Sequence, residues 1–111
     1  MAEPTLTEVF GAGATQDISV ITISKDDLEA VGLTPMAANT AESLLVAIVL
    51  LAANVLTESA RFADSDNRNV TIEFLANEIL TQGINDEFLR RSYAFSAYTP
   101  FTSDPVDPDD Y

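Results

Sequence analysis

The sequence predicts an α+β fold: one long central helix packed against a small antiparallel sheet of about three strands, with extended termini. Three observations lead there. Apolar residues recur at three- and four-residue spacing from Thr40 to about Arg61, the period of a helix. Runs rich in β-branched residues or alternating in polarity, at 16–24, 70–75 and 88–98, read as strands. Prolines and aspartates crowd the last dozen residues, which cannot enter a sheet interior. The chain divides accordingly into an N-terminal arm or short helix (1–15), a globular domain (16–99) and an acidic C-terminal arm (100–111).

The elements follow in order. Thr5 and Glu8 stand at capping-box spacing, predicting a short helical turn that ends at Gly11 and docks through Leu6, Val9 and Phe10. Gly11-Ala12-Gly13-Ala14 is no nucleotide fingerprint: Gln16 holds the third glycine position, and a loop precedes a strand here. A plain linker is the better reading. Gln16–Ser24 is one expected strand. Ser24 then caps a short helix with Asp26 and Asp27 in its first turn, closed by Gly32.

The main helix begins near Asn39 or Thr40. Leu44, Leu45, Ile48, Leu51, Ala52, Val55 and Leu56 form its wide apolar face. The opposite line, Ser43, Ala47, Leu50, Asn54, Thr57, Glu58 and Arg61, is polar at both ends and apolar in the middle, with Val46 and Val49 alongside. Leu50 is out of place on a solvated face, so another element or a neighbouring subunit is expected to cover it. Residues 63–69 form a polar loop and 70–75 a strand. Residues 76–82 fit either a strand or a helical turn. From Phe88 to Tyr98 the polarity alternates, with Leu89, Arg91, Tyr93 and Phe95 on one side and Phe88, Arg90, Ser92 and Tyr98 on the other.

Composition narrows the function. Eighteen acidic against five basic residues leave a formal charge of -13 on 111 residues, beside a hydrophobic fraction of 47% that suffices for a core. Such a charge repels nucleic acid and anionic membrane and favours a basic partner, cations or a high-salt setting. The ten unbroken apolar residues from Leu44 to Ala53 fall short of the roughly 20 a membrane span needs, and no basic cluster flanks them. No signal peptide is recognisable at the start, and no membrane partner is expected.

Catalysis has little to work with. There is no His and no Cys, which removes triads, zinc–thiolate sites and thiol nucleophiles. Ser24 beside Lys25 is explained as a helix cap. The acidic pairs Asp26/Asp27, Asp64/Asp66, Asp86/Glu87 and Asp109/Asp110 all fall in expected caps, loops or the tail, and no buried general acid is marked. Asp64-Ser65-Asp66 starts like a calcium loop but fails it at Arg68, Asn69 and Leu75. No catalytic residue, metal or cofactor is expected. Arg90-Arg91 is the only basic pair, and adjacent strand residues point to opposite faces, so it makes no basic patch; on a chain this acidic, pairing with carboxylates of this protein or of a neighbour is the better reading.

With the opening Pro4-Thr5-Leu6-Thr7-Glu8-Val9-Phe10-Gly11, the strand Arg90-Arg91-Ser92-Tyr93 and the exit Tyr98-Thr99-Pro100 into an acidic tail, the chain resembles small accessory virion proteins of tailed bacteriophages. The resemblance implies a non-enzymatic structural subunit within a virion assembled in the host cytoplasm, with capsid decoration slightly ahead of a neck or tail role. It implies as partners copies of the chain itself and other virion proteins, without sequence-specific nucleic acid, and contacts carried by terminal arms. The interface candidates are Leu50, Val46, Arg90, Arg91, Tyr93, Tyr98, Phe101 and Tyr111. The competing expectation is an acidic DNA mimic or inhibitor that offers rows of carboxylates to a basic protein.

Overall fold

A computed structural model of the chain describes residues 3–83, 86–99 and 108–110. The class is α+β, with a long bent helical stretch and two small antiparallel sheets of two strands each rather than one sheet of three.

Helix α1 (Leu6–Phe10) is capped as its sequence demands: the Thr5 hydroxyl accepts the Glu8 N–H at 3.2 Å, and Gly11 closes it at φ 103°. The segment Gln16–Ser24 is not one strand. It forms a minimal hairpin of β1 (Thr15–Gln16) and β2 (Ile21–Thr22). Asp17 causes the break. Its carboxylate accepts the N–H groups of Ser19 and Val20 at 2.7 and 2.9 Å, an Asx turn that outcompetes extension and leaves Ile18 fully exposed.

A 3-10 helix, Lys25–Val31, follows, capped by Ser24 and closed by Gly32 in the left-handed conformation. It packs against the central helix and buries Leu28, 2% exposed. The glycines before it are more than a linker. Asp27 Oδ2 accepts the Gly13 N–H at 2.7 Å, drawing the loop onto the 3-10 helix so closely that a Cβ on Gly11 would lie 2.5 Å from Asp27 Cβ.

The central helix does not run unbroken to Arg61. It bends into α2 (Ala41–Ala53), capped by Thr40, and α3 (Glu58–Ala63), capped by Thr57, whose hydroxyl accepts the Ala60 N–H at 3.1 Å. The bend frees backbone carbonyls, and the neighbouring segments take them up. Leu56 O accepts the Ile72 N–H at 2.8 Å, and Val55 O accepts from Arg68 at 3.3 Å.

Strands β3 (Val70–Gln82) and β4 (Asp86–Ala97) form one long antiparallel hairpin, so residues 76–82 are strand. A bulge leaves Leu75 unpaired between Phe74↔Tyr93 and Ala76↔Ser92. The base of the hairpin is packed on both faces: Ile72 and Phe95 turn toward α2, while Thr71, 1% exposed, turns toward α3. Beyond Phe74, every described β3 residue except Leu80 is exposed, and so is β4 from Asp86 to Arg91. The hairpin therefore stands largely uncovered from Phe74 outward, and its last pairs, Leu80↔Phe88 to Gln82↔Asp86, extend about 10 Å past the reach of α2. The acidic arm lies outside the described residues except for Pro108–Asp110, a 3-10 turn rather than extended chain.

Candidate functional site

The central helix buries little. Only Ala47 and Ala52 of α2 are buried, whereas Leu45 and Val46 are 62% and 57% exposed. Those exposed side chains do not look onto open solvent alone. α2 and β4 diverge around a groove of about 610 Å³ lined by Leu45, Val46, Val49, Leu50, Leu89, Arg91 and Tyr93. Helical spacing puts Leu45, Val49 and Val46, Leu50 in neighbouring rows on one side of α2. Strand alternation puts Leu89, Arg91 and Tyr93 on one face of β4. The two periodicities meet across the groove, and half-buried Leu50 faces β4 at its centre.

Four of the interface candidates thus share one site: Val46, Leu50, Arg91 and Tyr93. Tyr93 is held there by an edge-on ring contact with its cross-strand partner Phe74, centroids 5.7 Å apart. Arg90 points to the opposite face, where its guanidinium meets the cross-strand Glu78 carboxylate at 2.7 Å. Tyr98 lies on the far side of the hairpin base, its ring stacked under the Arg61 guanidinium at 3.6 Å beside Thr71. Phe101 and Tyr111 lie outside the described residues.

The basic side chains separate by their contacts. Lys25 donates to Met36 O, Arg61 stacks on Tyr98, Arg68 donates to Val55 O, and Arg90 pairs with Glu78. Among the described residues, Arg91 alone of the five makes no hydrogen bond, ion pair or ring contact. On a chain with charge -13, an unpaired guanidinium in an apolar groove is the feature that asks for a ligand. Sequence reasoning paired Arg90 and Arg91 alike with carboxylates. Strand alternation was the signal that separates them, but it could not say that α2 would face Arg91.

A second apolar hollow, about 510 Å³, lies between α1, α2 and the hairpin base, lined in part by Val9, Phe10, Ile48, Ala52, Leu56 and Phe95. Among the described residues, no three carboxylates come together as a metal site. The stretch Ala41–Ala63, 23 residues containing an 18-residue window of mean hydropathy 1.9, has the length and composition to cross a membrane. Its bend at Asn54–Thr57 leaves α2 with 13 residues, about 20 Å, against the ~30 Å of a hydrocarbon core. Comparison with protein-family models, with curated proteins and with solved structures gave no match.

Proposed function

We propose that this chain is a non-enzymatic structural subunit that functions in a homo-oligomeric assembly, a virion component of a tailed bacteriophage, with capsid decoration slightly ahead of a neck or tail role. One observation carries the reading: the chain alone leaves too much apolar surface uncovered. The whole chain exposes 8253 Å². A compact monomer of its mass, 11.9 kDa, exposes about 5,900 Å². The excess of roughly 2,300 Å² is of the order that obligate interfaces bury. The radius of gyration, 16.6 Å, likewise exceeds the roughly 13 Å of a compact chain of this length.

Half of the exposed large apolar side chains among the described residues lie in the hairpin, where Phe74, Leu75, Ile79, Phe88 and Leu89 are all more than half exposed. A lone two-stranded ribbon is marginal in water, and its two open edges invite pairing. Neighbouring copies supply both the cover and the missing strands. The exposed apolar residues also favour this reading over an acidic mimic, which needs rows of free carboxylates where Glu78 is instead neutralised by Arg90. The absence of His and Cys supports a role without chemistry, and the bend after α2 supports one without a membrane.

Native mass spectrometry of the purified chain tests the reading. A defined multimer is expected. A folded chain that stays monomeric at about 100 µM, where even micromolar contacts assemble, overturns it.

A further inference from the structure

We propose that the α2–β4 groove is the docking site for the C-terminal segment of a second copy of this chain, with Asp104 of the incoming segment paired to Arg91. The inference rests on the assembly reading above and names one of its contacts.

Charge complementarity selects the occupant. The groove offers apolar walls from Leu45, Leu50, Leu89 and Tyr93 around one unpaired guanidinium. The complementary ligand is an extended segment with apolar side chains on either side of a carboxylate. The chain contains such a segment in Phe101-Thr102-Ser103-Asp104-Pro105-Val106. The lengths agree. Leu89 to Tyr93 spans about 14 Å along a strand, with Arg91 midway. Phe101 to Val106 spans about 15 Å as polyproline II, the conformation that Pro100 and Pro105 favour, with Asp104 between. Phe101 and Val106 then meet the apolar ends while Asp104 faces Arg91. No sheet pairing is needed, so the missing proline N–H groups cost nothing.

The direction of the chain assigns the segment to a neighbour. β4 runs from Asp86 to Ala97, away from Leu89 and Arg91 and toward the hairpin base. Tyr98 N–H is held by Asn69 O at 2.6 Å, and Thr99, preceding Pro100, is biased to an extended conformation. Tyr98 and Thr99 therefore hand the chain on at the hairpin base, away from Leu89 and Arg91. Asp104 is six residues past the anchored Tyr98, about 20 Å of chain, whereas Arg91 lies seven strand residues, about 23 Å, back from Tyr98, so the arm falls short of its own Arg91 and meets one that an adjacent copy brings against the hairpin base.

The test uses the full chain and charge exchange. Arg91→Glu and Asp104→Arg are made singly, together, and as a mixture of the two single variants, with folding checked by circular dichroism and association by sedimentation equilibrium. Each single variant is expected to associate about tenfold more weakly, and the double variant to recover. The mixture recovers as well, because in trans each variant supplies the other's partner. If the wild-type chain assembles but single variants associate normally, or the double variant does not recover, the docking inference falls and the assembly reading stands. If the double variant recovers but the mixture does not, the segment docks on its own chain and the neighbour assignment falls. A monomeric wild-type chain removes the assembly reading, and this inference with it.

Discussion

Leu28→Ala separates what holds one chain together from what holds copies together. Leu28 and Thr71 are the largest fully buried side chains among the described residues, and Leu28 is the buried residue of the 3-10 helix that packs against α2. Among the described residues, the other buried apolar ones are Val9 and three alanines, so no second large buried side chain of that set stands ready to fill the space. Truncation there removes the transfer energy of the lost carbons and leaves a cavity, together about 2–5 kcal/mol. A chain of 111 residues has roughly 6–17 kcal/mol of stability in all, so the loss is a large share of it. At about 3 kcal/mol the melting midpoint should fall by roughly 10–15 °C. Urea unfolding at two protein concentrations reads the effect. Because Leu28 lies inside one chain, the loss should be the same at both, whereas loss of a contact between copies grows with concentration. A cost below about 1 kcal/mol would refute the claim that Leu28 anchors the core.

Leu50→Asp should show the opposite pattern. Half-buried Leu50 is worth about 1 kcal/mol to a dilute chain, but an unpaired carboxylate in the groove should lower the oligomer mass, as native mass spectrometry will show. Gly11→Ala forces a Cβ into Asp27 at a backbone angle, φ 103°, that favours glycine, and should cost about 1–3 kcal/mol by thermal melting. The N–H groups of Ser19 and then Val20 hold the Asp17 carboxyl below its ordinary value of 3.8. A depressed folded-state value means the contribution is complete above that ordinary value and is lost as pH falls through the depressed one. Amide exchange at Ser19 and Val20 should therefore quicken in strong acid, and Asp17→Asn should shrink that dependence.

The parts legible in the sequence are those decided within a few residues. Thr5, Ser24 and Thr40 cap as expected, and Gly11 and Gly32 terminate, because a cap is a contact between near neighbours. The break between α2 and α3 was not legible. The apolar period runs through it, and the competing bond, Ile72 N–H to Leu56 O, comes from a strand 16 residues away. Residues 76–82 were ambiguous for the same reason: cross-strand partners such as Arg90 for Glu78 and Phe88 for Leu80 make them a strand. Asp17 errs the other way, since a local Asx turn overrode a run of high strand propensity. Alternation showed Arg91 and Tyr93 to share a face, yet only the fold sets α2 opposite them.

Hydrogen exchange across the β3–β4 hairpin, read by mass spectrometry at several protein concentrations, tests the central claim most directly. The hairpin beyond Phe74 has little cover within its own chain, only α2 across the open groove as far as Leu89, so its amides should exchange quickly in dilute solution. As copies assemble, residues 74–82 and 86–93 should gain protection, while amides in α2 behind Ala47 and Ala52 change little. Added salt, which screens repulsion between chains of charge -13, should bring that protection on at lower concentration. Hairpin protection that stays the same at every concentration and salt would mean the ribbon stands without neighbours, and would contradict the account.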